Sequence, residues 1–453
     1  MKAIPRFFIV FLIAFWALSI SAFGQTFEIN QEPSNPSANT TAKKGKKTGK
    51  SPSTPSTGLG WGSSIEVGRM SRAAEDALRR GNYQAAASFA QRAVQAAPQD
   101  GRLWFLLGYT SRMAGHYQQS LEAYQRGLKS NPSSPDGLSG MAQTYAKAGN
   151  AAEAKKILLQ VINAHPERVE DMLIAGELDI QTNDLQSGLN LLQRAESKKP
   201  SSHAELLMAL AYMRLKQPEK AKGLLEQAKR RDPRNVEIFR AVANYFRETH
   251  DYASAITTLK NSPRKTPDVL GDLAYTYELA GEMKQAAGTY AQAADADRQN
   301  IHLQLSAAQS HVTLGDIAKA KPFLGRAEAI DANNYRLHAI RANIDRLQNR
   351  PADAIREYNF ALAHIPEGVV PEGQLFPVLL RLNLSELYKD TGDQASVQRE
   401  VAQAEKEISS MQVEGPQKAE FLRVRSSIKT GSNDFAGAEA DLKQALALDP
   451  ANT

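Results

Sequence analysis

The chain offers eight histidines, His116, His165, His203, His250, His302, His311, His338 and His364, and no cysteine. Imidazole and carboxylate chemistry is therefore open to it, while disulfides, thiolate metal sites, a cysteine nucleophile and a cysteine lipid anchor are excluded. The histidines are scattered. Only His302 and His311 lie in one stretch, nine residues apart, and neither H-E-x-x-H nor any near pairing with metal-ligand spacing occurs. GKKTGKS at 45–51 approaches a phosphate-binding loop but has three residues between its glycines where four are needed. G-L-G-W-G at 58–62 lacks the third spaced glycine of a dinucleotide loop, and GLSG at 137–140 is not a G-x-S-x-G elbow. The segment LWFLLGYTSRMAGHYQQSLEAY (103–124) gathers glycine, histidine and tyrosine, yet its spacing is that of packing. No catalytic residue, metal or cofactor is expected, and acidic side chains are expected as solvated partners on helix surfaces.

The net charge of +6 suggests nucleic acid until it is located. Lys2 and Arg6 supply two of the six charges. Five lysines at 43–50 against Glu28 and Glu32 supply three more, which leaves one for residues 65–453. The body is near neutral, so no nucleic-acid partner is expected. The charges sit in a distinct leader. MKAIPR precedes the 14-residue apolar run 7–20, and Ala22-Phe23-Gly24 offers small residues before Gln25. This is the three-part pattern of a signal peptide over 1–24, with an uncleaved anchor as the alternative. Residues 25–64, rich in Ser, Pro, Thr and Lys, bury too little apolar surface to offset chain entropy and are expected to form a disordered linker. Membrane contact is expected only through an uncleaved leader or this basic linker. The body is expected to be exported, to the periplasm or beyond the cell.

The elements that would position any functional residue follow from a period. Pro98, Pro132, Pro166 and Pro200 are spaced by 34, and Pro233 follows one residue early. Aligned on them, eleven units open near Val67, Gly101, Pro135, Val169, Ser202, Val236, Pro267, Ile301, Tyr335, Val378 and Ala419. The eighth residue of every unit is small, from Ala74 and Gly108 to Ser426, and the twentieth is small in ten, Val397 being the exception. Small residues recurring in phase let two helices cross closely. Gly or Asn between the halves, as at Gly81, Gly115 and Asn183, ends the first helix, and the proline stops the second.

With W-x2-L-G at Trp104, Leu107 and Gly108, then Tyr117, Ser120, Tyr124 and Pro132, the pattern resembles the tetratricopeptide repeat over about 67–450. Ser111 departs from it where Tyr145, Tyr212 and Tyr277 conform. The sixth unit is three residues short, and an extra loop precedes the tenth, whose long second helix is expected to run to about Glu414. The resemblance implies an all-α fold, a right-handed superhelical solenoid of about eleven helix-turn-helix units. Units one to nine would span 65–366, an inserted loop 367–377, and two divergent units 378–453.

The resemblance also implies where a partner binds. In the family, positions 2, 5, 9, 12 and 13 of each unit line the concave face. Here these are Arg102, Phe105, Tyr109 and Arg112, then Gln143 and Lys147, then Arg240, Asn244 and Arg247, and finally Arg336, Asn343 and Arg346. Units six and nine share Asn-x-x-Arg at positions 9 and 12. Asn can bond a peptide backbone through donor and acceptor, and Arg can clamp a carboxylate, so the set suits an extended peptide or protein bearing acidic groups. The last unit lacks a polar capping helix, which leaves open a covering partner, a longer chain or self-association. The expected function is a non-catalytic interaction scaffold in a bacterial envelope. The alternative is the repeat arm of a larger secreted enzyme, or of a secretion or polysaccharide assembly, whose catalytic part lies elsewhere.

Overall fold

A computed structural model describes residues 61–367, 373–413 and 418–449. The leader, the P-loop-like segment, the larger part of the linker and the last four residues lie outside them. Among the described residues there are 22 helices, α1–α22, and no strand. They come in pairs: Trp61–Arg79 with Tyr83–Ala96 (α1, α2), Gly101–Met113 with Tyr117–Ser130 (α3, α4), Pro135–Lys147 with Ala151–Ala164 (α5, α6), Val169–Gln181 with Leu185–Lys198 (α7, α8) and Ser202–Arg214 with Pro218–Arg231 (α9, α10). The series continues with Val236–Glu248 and Tyr252–Lys260 (α11, α12), Pro267–Leu279 and Met283–Ala296 (α13, α14), Ile301–Thr313 and Ile317–Ile330 (α15, α16), Tyr335–Leu347 and Pro351–Ala363 (α17, α18), Phe376–Asp390 and Gln394–Ser409 (α19, α20), and Lys418–Gly431 and Phe435–Leu448 (α21, α22). The helices form two compact bodies, α1–α10 and α11–α22, divided between Pro233 and Arg234. Within each, a helix packs on its neighbours in sequence and first helices also touch first helices, an all-α repeat solenoid.

Eight first helices, α3 to α17, open on the residue at which the repeat alignment opens a unit. The local cause is visible one residue earlier. Asp100, Ser134, Ser201, Asn235, Thr266, Asn300 and Asn334 each accept a hydrogen bond from a first-turn N–H, fixing the start. The small eighth residues are buried without exception among Ala74, Ala142, Ala209, Ala243, Ala274, Ala308 and Ala342. In α7 and α8 the approach is backbone to backbone: a Cβ on Gly188 would lie 3.0 Å from the Gly176 carbonyl. At Gly108 the reason differs, because the vacant Cβ position lies 2.8 Å from the Tyr124 ring, which fills the crossing itself.

Three boundaries differ from the sequence expectation. Residues 61–64, assigned above to the disordered linker, are the first turn of α1. Met70 and Ala74 anchor that helix in the first core, and a helix once nucleated extends by one hydrogen bond for each further residue fixed. Residues 376–377, assigned to the inserted loop, open α19. Phe376 is buried, and Pro377 stands in the first turn, where a missing N–H costs nothing. Residues 368–372 of that loop lie outside the described set. Helix α20 stops at Ser409 rather than Glu414: the Ser409 and Ser410 hydroxyls take the Lys406 and Glu407 carbonyls, and Met411 and Val413 turn onto the core. Proline also behaves in two ways, since Pro322 lies inside α16 on its exposed face.

The short sixth unit loses its residues from the second helix. Helix α12 has nine residues where α14 has fourteen. Its free carbonyl end is closed by the Lys265 ammonium, which donates to Leu259 O at 3.0 Å and Ser262 O at 3.2 Å, and also to Lys260 O.

Candidate functional site

The first-helix residues named by the repeat frame divide between surface and interior. Arg102 is exposed and folds back on Asp100, Nη2 to Oδ2 3.0 Å. Lys147 is exposed at the end of α5. Phe105 is half-buried, because its ring occupies the space that Cβ atoms on Gly127 and Gly137 would take, at 2.5 and 2.7 Å. The Arg112 guanidinium lies 5.2 Å from the centre of the Tyr109 ring and donates to the Gln143 side-chain carbonyl.

From there a polar chain crosses three units. Gln143 Nε2 donates to Ser139 Oγ at 3.2 Å, and Ser139 donates to Asp171. Asp171 is paired with Arg168, whose Nη1 reaches Asp136 at 2.9 Å. Gln143 is buried and its polar atoms are used within the stack, so it does not meet a ligand directly.

The C-terminal body holds a similar network. Arg240 pairs with Asp272 at 2.6 Å and Glu237 at 3.1 Å. The buried Arg247 donates to Thr276 Oγ1 at 3.3 Å and to Asn244 Oδ1 at 3.2 Å, and lies 5.7 Å over the Tyr275 ring. In unit nine the same Asn-x-x-Arg has another solution. The buried Asn343 accepts from the Tyr358 hydroxyl at 2.7 Å, and Arg346 reaches Asn383 at 3.0 Å on the next first helix. The two motifs match in sequence but not in partners. Both arginines tie one repeat to the next, so Arg247 and Asn343 leave the set of side chains a peptide could touch. Arg336 is partly buried, on the side of α17 from which its charge acts on Glu278.

Two acids that the sequence reading did not single out stand on this face. Burial pushes the Glu278 carboxyl up to about 8, against the Tyr290 hydroxyl at 3.3 Å and the Arg336 charge, which favour ionisation. Burial pushes Glu177 up to about 7, opposed by the Lys147 charge. Glu177 Oε1 accepts from Gln181 at 3.2 Å, and Oε2 lies 3.9 Å from His203 Nε2. Loss of hydration lowers the His203 imidazole below its ordinary value. Glu177 is position 9 of its unit and His203 position 2 of the next, which is the signal that would have found them. Among the described residues no three His, Asp or Glu side chains are grouped as a metal site would need.

Tetratricopeptide-repeat family models match residues 111–173 and, with a second model, 71–135 and 206–269. No curated protein matches. Among solved structures the chain is similar to a tetratricopeptide repeat protein from Parabacteroides merdae, with 16% identity, 54% of this chain and 99% of that one covered, and a TM-score of 0.46. It is similar to yeast Tom70 at 12% identity, covering 85% and 92%, with a TM-score of 0.43. It is similar to a thermophilic repeat protein from Thermus thermophilus at 20% identity, covering 47% and 99%, with a TM-score of 0.31.

Proposed function

The chain is a tetratricopeptide-repeat protein, and such repeats serve generally as scaffolds for protein–protein interaction; we propose that this one holds an extended segment of a partner protein along its first helices, in a bacterial envelope. The observation that carries the reading is the division of the first-helix face. Buried ties such as Arg247–Thr276 and Ser139–Asp171 hold the repeats in register. Between them Arg102 and Lys147 stay exposed, and Tyr109 and Arg112 half-exposed, within reach of a chain lying across the units. The fold typically works without catalysis, and no catalytic step is assigned. The envelope setting rests on the leader 1–24, where a basic end, an apolar run and small residues follow in order.

Photo-crosslinking tests the face. A photoreactive residue at position 102 or 147 of the full chain should label one partner in envelope extract, and the same residue at 118, an exposed second-helix position, should not. Labelling from 118 equal to that from 102 and 147, or labelling from neither, overturns the reading. Recovery of the full-length chain in the cytosolic fraction overturns the envelope assignment alone.

A further inference from the structure

Buried carboxylates need a partner, because an ion taken out of water costs several kcal/mol unless it is paired. The N-terminal body obeys this three times. Asp171 has Arg168, Asp179 has the Lys155 ammonium at 2.5 Å, and Glu205 has Arg231 at 3.0 Å. In the C-terminal body Asp272, Asp345, Glu400 and Asp441 likewise each hold an arginine. Glu177 is the exception. It is 4% exposed, yet among the described residues no lysine or arginine stands within ion-pair distance, only His203 at 3.9 Å. Its one hydrogen bond is the neutral amide of Gln181, one turn on in α7.

The position of the missing cation is on the face already argued to receive a partner. Lys147 on α5, Glu177 on α7 and His203 on α9 occupy groove positions of three successive units. Glu177 Oε1 is engaged by Gln181, and Oε2 points toward His203, whose side chain is 43% exposed. We propose that Glu177 receives the positively charged side chain, lysine or arginine, of the bound partner segment, with His203 at the mouth of the site. The proposal rests on the scaffold reading and names the partner chemistry for these units: basic rather than acidic. The charged groups facing the site are Lys147 from α5 and His203 from α9; Asp179, farther along α7, is spent on Lys155.

A cation arriving at Glu177 favours the ionised carboxylate and so expels its proton. Protonated His203 would repel the same cation. Both effects make binding stronger as pH rises, and because burial holds the carboxyl at about 7, binding at pH 6 should be about tenfold weaker than at pH 8.

The test uses the full chain and a glycine–serine peptide with one central lysine, followed by NMR of the peptide lysine signals, which detects millimolar binding. The lysine peptide should bind saturably at pH 8 and its Nε-acetyl form should not. Glu177→Gln, checked for native helix content by circular dichroism, should abolish the binding. His203→Gln should bind at pH 8 and lose less than the parent at pH 6. Equal binding of the acetylated peptide, undiminished binding to Glu177→Gln, or no saturable binding to the parent in the millimolar range each overturns the proposal. Should Glu177→Gln not fold, the acetylated peptide and His203→Gln still decide. A partner cross-linked from 102 and 147 equally in parent and Glu177→Gln overturns this assignment and leaves the scaffold reading standing. Lysine-peptide binding without any cross-linked partner does the reverse.

Discussion

Glu177 shows how one side chain links burial to pH. Its carboxyl binds a proton near 7 in the folded chain and near the ordinary glutamate value when unfolded. Between those values the folded state holds the proton that the unfolded state has released, so stability falls as pH rises through the window and stays lower above it. Glu177→Gln removes the titration. The variant should match the parent near pH 4.5 and exceed it at pH 8, by up to about 3 kcal/mol, read as a flatter dependence of Tm on pH. Equal slopes for the two proteins would refute the assignment. The same scale explains why Arg247 and Arg346 are poor probes of partner binding. Each bonds a neighbouring repeat through Thr276 or Asn383, so truncation strips internal partners as well as any external one.

Helices here are set mostly by their ends. The left-handed residue after each first helix is usually glycine or asparagine, but Lys216 at φ 56° and His250 at φ 60° fill that place at a cost that side chains with a Cβ bear. Two variants test the end effects. Lys265→Met removes the ammonium that closes the shortened α12 and should destabilise by about 1–2 kcal/mol. Pro322→Ala restores a backbone donor inside α16 and should stabilise by about 1–3 kcal/mol. Thermal unfolding reads both, and the opposite sign in either case contradicts the helix boundaries given above.

At the scale of the molecule, stability is local. Each repeat buries its apolar face only on its neighbours, so damage stays near its origin. A charge at Ala286, buried between α13 and α14, should cost about 3–5 kcal/mol. Hydrogen exchange should speed up in the helices around α14 while α1–α6 keep their protection. The matching change at Ala154 should loosen α5–α7 and spare α15–α18. Uniform loss of protection in either variant would show that the bodies do not unfold separately.

The period and the small residues that recur with it settle the helix pairs, their starts and their turns, because helix capping, proline and close approach act over a few residues and leave marks in the sequence. Boundaries failed where the deciding contact was distant or apolar patterning was silent, as in the first turn of α1, Phe376 and the end of α20. The candidate face was legible only as a register. The repeat frame named Arg247, Asn343 and Gln143, and folding then spent their polar atoms on adjacent helices. It passed over Glu177, whose close neighbour His203 lies 26 residues away in the chain. Which polar groups are paired is a property of three-dimensional neighbours some thirty residues apart, and no local pattern encodes it.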